Sequence, residues 1–110
     1  MKELVREVTQ MHAHICKAFA DPKRILILYA LGERPRNVGE LTELYDFAQP
    51  TVSRHLKFLR ERSLVVAKRE GNTVTYRLAD PRVIQALDIM RAVMSDMLKH
   101  NAQLVEQLEV

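Results

Sequence analysis

The sequence predicts a mainly α-helical domain with a single two-stranded β-hairpin, and three observations lead there. Apolar residues recur every three or four positions over most of the chain, the period of helices with one buried face. One stretch alone, residues 65–78, is β-branched and alternating around Gly71-Asn72, which signals a hairpin. Only three Gly and four Pro punctuate 110 residues, too few for many short strands. A chain of this length is expected to form one domain, 1–110, with a modest core.

The first helix is expected over residues 2–18. Leu4, Val8, Met11, Ile15 and Ala18 step by four and three there, with Val5, His12 and Phe19 alongside, an amphipathic stripe. Asp21-Pro22 opens the second helix, an N-cap followed by a proline whose missing N–H costs nothing in a first turn. Ile25, Leu26, Leu28, Tyr29 and Leu31 make it the central buried helix, and Gly32 suits its C-cap. Past Pro35, Asn37 and Glu40 form a capping box. The third helix runs from there to about Tyr45 and buries Val38, Leu41 and Leu44. Asp46-Phe47-Ala48 is a turn. The fourth helix, 49–62, has Pro50 at its start and Val52, Leu56 and Leu59 on its core side. Two short helices joined by such a turn make a helix-turn-helix, 37–62.

Strands are expected at 65–69 and 73–78, with Val74, Tyr76 and Leu78 on one face and Thr73, Thr75 and Arg77 on the other. An isolated hairpin is marginal in water, so it must pack on the helices as a wing, 64–78. Asp80-Pro81 repeats the cap-plus-proline signal and opens a last helix running almost to the end. Val83, Leu87, Met90, Met94, Met97, Asn101, Leu104 and Leu108 step four and three throughout, a heptad-like seam with one polar interruption. Ile84, Leu98 and Val105 widen it. So long a seam has too little left to cover within one domain. The first and last helices, 1–20 and 80–110, are therefore expected to form a homodimer, with Leu4, Val8, Met11, Ile15, Leu87, Met90, Met94, Met97, Asn101 and Leu104 at its interface. The competing reading is an intramolecular core helix.

Net charge is +3, with pI near 9.2. The excess is local. Between Gln49 and Arg77 stand Arg54, Lys57, Arg60, Arg62, Lys68, Arg69 and Arg77 against only Glu61 and Glu70. A basic middle attracts a polyanion. No apolar run approaches the roughly 20 residues of a membrane span, and the N-terminus does not read as a signal peptide. Cys16, the single cysteine, excludes an internal disulfide and a CxxC metal site. A soluble cytoplasmic protein is expected, with no membrane partner.

The fourth helix carries the functional reading. Its first turns offer Gln49, Thr51, Ser53, Arg54, His55 and Lys57, hydrogen-bonding and cationic groups suited to a DNA major groove. Gln49, Thr51, Ser53 and Arg54 are the expected base readers. His55 and Lys57, with Lys68, Arg69, Asn72 and Thr73 on the wing, are expected to position the backbone of double-stranded DNA. Ser53 and His55 are not a catalytic pair: two apart on a helix, they face different ways, and no acid orients them. No phosphate loop, HExxH or paired-Cys motif occurs, so an enzyme is not expected.

Several strings resemble the ArsR/SmtB family of dimeric winged helix-turn-helix repressors. They are Phe19-Ala20-Asp21-Pro22-Lys23-Arg24-Ile25-Leu26, Val38-Gly39-Glu40-Leu41, and Gln49-Pro50-Thr51-Val52-Ser53-Arg54-His55-Leu56-Lys57-Phe58-Leu59. The wing adds Leu64-Val65, Arg69-Glu70-Gly71-Asn72 and Tyr76-Arg77-Leu78. The resemblance implies four helices, a two-stranded wing and a fifth helix, with dimerisation through the first and last. It also implies a repressor that holds an operator until a signal releases it.

The signal sites of that family are where the sequence departs. The third helix, Glu40-Leu41-Thr42-Glu43-Leu44-Tyr45, has no thiol for a Cys-x-Cys pair. With His100 as the later ligand of a zinc-type site, the other positions fall on Leu87, Ile89 and Gln103. A cysteine pair is missing too. No cofactor is expected, and the effector is open.

The remaining metal candidates are weak. His12 and Cys16 lie four apart and could share an ion, but both border an apolar stripe and free Cys is commonly buried. Asp96 and His100 are also four apart, where an ordinary surface pair is the simpler reading; His14 is expected to be exposed. Met90, Met94 and Met97 fit core packing better than a thioether cluster. The function expected is a dimeric, sequence-specific repressor reading an inverted-repeat operator. The alternatives are a metal-responsive repressor using His12, Cys16 or His100, and a protein-interaction module built on the last helix with vestigial DNA binding.

Overall fold

The computed structural model describes residues 1–109; Val110, the end of the expected domain, lies outside them. The chain falls into two compact units, Met1–Asp80 and the helix that follows from Pro81. In the first unit the order is α1 (Lys2–His14), a 3-10 turn (Cys16–Ala20), α2 (Pro22–Glu33), β1 (Arg36–Asn37), α3 (Val38–Tyr45), α4 (Gln49–Glu61), β2 (Val65–Glu70) and β3 (Thr73–Leu78). The second unit is α5 (Arg82–Glu109), about 42 Å long at 1.5 Å per residue.

The core lies where α2, α3 and α4 meet the base of the hairpin. Ile27, Leu28, Leu41, Val52, Leu56 and Leu59 are fully buried, and Val65 closes the sheet side. Each such aliphatic side chain contributes about 1.5–3 kcal/mol by leaving water. The expected core stripe of α4 is therefore the one observed. On α2 the buried set is Ile27, Leu28, Ala30 and Leu31, whereas Leu26, expected inside, is exposed. Its carbonyl instead accepts a hydrogen bond from the Tyr45 hydroxyl at 2.8 Å. Leu44 is likewise a correction, 47% exposed. An eight-residue helix buries a narrow strip, here Leu41, and Tyr45 stacked on Phe47 at 5.3 Å makes the contact beside it.

Two helix ends differ from expectation. The stripe of the first helix continues to Ala18, but α1 stops at His14 with Ile15 as its C-cap. The chain then tightens into 3-10 geometry, and the Arg24 guanidinium takes the carbonyls of Lys17 and Ala18, both at 2.9 Å. Gly32 is not a C-cap: α2 passes through it to Glu33. The C-cap is Arg34, whose N–H donates to the Ala30 carbonyl at 3.5 Å, and the Arg36 side chain adds a second donor, its Nε reaching the same carbonyl at 3.0 Å.

The sheet has three strands, not two, in the order β1-β3-β2, all antiparallel. Val65 pairs with Leu78 and Glu70 with Thr73, so the hairpin closes on Gly71-Asn72 as expected. Gly71 sits at φ +62° with open space around it, a conformation that costs glycine little. The added strand is short but decisive for geometry. Asn37 pairs with Thr75 of the wing. Its side chain also caps α3, accepting from the Glu40 N–H at 2.9 Å, while Glu40 Oε1 accepts from the Asn37 N–H at 3.1 Å. One residue thus ties the wing to the start of the helix-turn-helix.

Candidate nucleic-acid interface

α4 begins after Ala48, which has no side chain able to cap it. Pro50 in the first turn removes one N–H that would need a partner. α3 ends at Asp46 in left-handed geometry, φ 54°, which short polar side chains tolerate. That sharp reversal, closed by Phe47 with Lys23 Nζ 5.3 Å above its ring, leaves the front of α4 outward.

Gln49, Arg54 and Lys57 are exposed, and Thr51 and Ser53 are half-buried. Gln49 Nε2 donates to Ser53 Oγ at 2.9 Å, so these two expected readers form one hydrogen-bonded pair. His55 is a correction. Expected against the DNA backbone, it is only 6% exposed, and its Nε2 lies 3.6 Å from Asp21 Oδ2. Burial pushes its pKa below the ordinary histidine value, with the Asp21 carboxylate opposing and Arg24, Arg54 and Lys23 reinforcing. A buried neutral imidazole cannot grip a phosphate. Its position on the helix explains this: His55 falls between Val52 and Leu59 on the inward side.

On the wing, Lys68, Arg69, Asn72 and Thr73 are all exposed. Asn72 and Thr73 line a cleft of about 440 Å³ with Asn37, Val38 and Gly39, which places the hairpin tip beside the start of α3. A second cleft, about 290 Å³, runs between α2 and α4 and is lined by Arg24, Arg54, His55, Lys57, Phe58 and Glu61. Arg24, which the sequence did not place beside these residues, lines this cleft with them. Its signal was hidden because it sits 30 positions before Arg54, in a different helix.

The metal candidates are spread over three elements, α1, the 3-10 turn and α5. His12 is on α1, whereas Cys16 begins the 3-10 turn, so the shared helical face expected for them is broken. Cys16, read as buried, is exposed. His14 is exposed, as are Asp96 and His100 on α5. Among the described residues of a single chain, no three His, Cys, Asp or Glu side chains gather as a metal site.

The seam residues are largely uncovered. Leu4, Val8, Met11 and Ile15 on α1 and Met90, Met94, Met97 and Leu104 on α5 are exposed, Met94 at 57%. Asn101 is exposed as well. Leu87 differs, at 4%, and so does not belong to the exposed stripe. No helix among the described residues is long and apolar enough to cross a membrane.

A family model described as "Bacterial regulatory protein, arsR family" matches residues 21–66. The HTH-type transcriptional regulator Rv0081 of Mycobacterium tuberculosis is 34% identical over 100 residues, 90% of this chain and 88% of that protein. The chain belongs to the ArsR family. The HTH-type transcriptional repressor SmtB of M. tuberculosis is 41% identical over 75 residues, 68% of this chain; the match spans 56% of that repressor's own length. The crystal structure of Rv0081 superposes with a TM-score of 0.76 at 33% identity, covering 86% of this chain and 96% of that one. A homodimeric winged helix-turn-helix DNA-binding domain from Mycobacterium bovis gives 0.76 at 28% identity, with 91% and 92% covered. The ArsR-family fold here is thus a winged helix-turn-helix, shared with DNA-binding transcriptional regulators rather than with enzymes.

Proposed function

We propose that this ArsR-family protein is a homodimeric, cytoplasmic repressor that reads an inverted-repeat operator. The observation that carries this reading is the exposed front of α4, where Gln49, Arg54 and Lys57 stand outward on a helix whose opposite side is locked in the core. Gln49 with Ser53, Thr51 and Arg54 read base edges, glutamine suiting adenine and arginine guanine. Lys57, Lys68, Arg69, Asn72 and Thr73 hold phosphates. The apolar stripes of α1 and α5 join two copies. The relative SmtB is named a transcriptional repressor, which supports repression as the direction of control.

The effector is a signal other than the family's usual metal sites, because the third-helix thiols and the last-helix ligand set are absent from the sequence. Metal control through His12, Cys16 or His100 is tested by titrating zinc or nickel into the operator-bound dimer. Release at stoichiometric metal would establish it and overturn the non-metal reading.

The direct test selects binding sites from random duplex DNA and measures affinity at several salt concentrations. An enriched inverted repeat with steep salt dependence is expected. Absence of DNA binding together with a stable hetero-complex would instead mark a protein-interaction module.

A further inference from the structure

The geometry points to a phosphate seat in the cleft between α2 and α4, occupied by the DNA backbone flanking the base-reading turns of α4. This rests on the DNA-reading role of α4 and adds a contact from outside both the helix-turn-helix and the wing.

The cleft is built around one aromatic ring. The Arg24 guanidinium lies 4.2 Å from the Phe58 ring centroid and that of Arg62 lies 3.4 Å from it. Arg54 and Lys57 stand on the rim. Three permanent cations, Arg24, Arg54 and Lys57, therefore line a space of about 290 Å³ together with Glu61, and Asp21 stands beside Arg24. Asp21 is already committed, its Oδ1 accepting from the Lys23 N–H at 2.8 Å.

Arg24 is held ready rather than mobile. Its Nε and Nη2 donate to the carbonyls of Ala18 and Lys17. Its Nη1 lies 3.9 Å from Asp21 Oδ2, beyond hydrogen-bond reach. A guanidinium fixed at two nitrogens loses little entropy when the third meets an anion. Arg62 supports the ring from outside the cleft: its Nη1 donates to the Phe58 carbonyl at 3.4 Å, and its Nε is buried without a hydrogen-bond partner.

The chemistry fits a phosphodiester. A tetrahedral anion accepts from several donors at once, and the rim residues Arg54 and Lys57 lie on the exposed side of α4. In helix-turn-helix docking the helix preceding the reading helix crosses the backbone, and α2 extends that contact to the far flank. A free phosphorylated ligand would offer the same group, and the experiment separates the two sources.

The test compares Glu61→Lys with Glu43→Lys in the full chain. Both make the same charge change on exposed positions, but Glu43 lines a different cleft, with Arg34, Arg36, Glu40 and Leu44. Glu61→Lys is expected to tighten binding to operator and random DNA alike, by roughly fivefold to tenfold at 0.1 M salt, and to steepen the salt slope by about one. Glu43→Lys is expected to do clearly less. Arg24→Gln should lower the slope by about one; if it fails to fold, the Glu61 comparison decides alone. Equal effects of the two lysine variants, or an unchanged slope in Glu61→Lys, overturn the seat. Inorganic phosphate titrated into DNA-free protein should give no saturable shift of the Phe58 ring resonances. A saturable shift would assign the cleft to a free phosphorylated ligand and overturn its assignment to DNA. Wild-type protein that binds no DNA removes the reading of α4 itself, a result distinct from binding that Glu61→Lys leaves unchanged.

Discussion

Arg54 and His55 are adjacent in sequence and opposite in fate, and their two environments make different predictions. His55 is buried beside the Asp21 carboxylate with its pKa pushed down by burial. The unfolded chain, with an ordinary histidine value near 6.5, takes up a proton before the folded chain does. Stability from this site is therefore complete above pH 6.5 and drains as pH falls through the folded value. Asp21 acts lower. The Lys23 N–H holds its carboxyl below the ordinary 3.8, helped by His55 and Arg24 against partial burial, so its contribution is lost only in stronger acid. Urea unfolding at pH 7.5 and 5.5 should show lower stability at 5.5 in wild type and a smaller difference in His55→Gln. An equal difference in both would place the acid sensitivity elsewhere. Arg54, exposed, should behave as a reader. Arg54→Ala is expected to cost about 1–3 kcal/mol on the operator and much less on random DNA. Lys57→Ala should weaken both alike and lower the salt slope by about one. Competition mobility shifts distinguish them, and equal losses on both DNAs for Arg54→Ala would make it a phosphate contact.

Among the elements, α3 and β1 meet in Asn37, which pairs with Thr75 and caps α3. Asn37→Ala should cost about 1–2 kcal/mol, the usual loss of an N-cap. It should also speed amide exchange at the start of α3 more than at the β2–β3 end of the hairpin, since Glu40 loses its partner while the Val65–Leu78 pairing stays intact. Unchanged exchange at Glu40 would mean that the cap does not secure the helix. The capping box was legible in sequence because it is local, two residues three apart. So were the buried stripe of α4 and the Gly71 turn. β1 was not, because Arg36 finds Tyr76 only after the chain has folded back, and two residues carry no period. The end of α1 was hidden for a similar reason: Arg24 claims the carbonyls of Lys17 and Ala18 from the next helix. His55 misled because a histidine in a cationic string reads as a DNA contact until the helix is rotated. The cleft at Phe58 needs about two turns of α4 and a second helix to assemble, and no spacing in the sequence announces it.

For the whole molecule, the decisive surfaces are the uncovered stripes of α1 and α5. Each stripe is exposed apolar surface of the kind that marks an interaction site, and in the proposed dimer a two-fold pair lets each copy cover the other with the same residues. Such pairing also bears on affinity. Two reading helices on one body bind the second half-site at a high effective concentration, which raises avidity by 10²–10⁴ when the geometry fits, as a rough guide. Met94 and Met97, at 57% and 58% exposure, are suited to test this, because replacing them removes no buried contact of the single chain. The double variant Met94→Glu, Met97→Glu should sediment as a monomer and keep its helical circular dichroism. It should bind an isolated half-site as well as wild type does at equal concentration of reading heads, and lose roughly a hundredfold or more on the inverted repeat. Wild type should in turn prefer half-sites about 10–10.5 base pairs apart, centre to centre, with affinity falling when five are inserted, because that turns the second half-site to the opposite side of the duplex. A variant that remains dimeric would move the interface away from these methionines. A monomer with full affinity for the repeat, or a wild type indifferent to the insertion, would show that the two heads do not act as a pair.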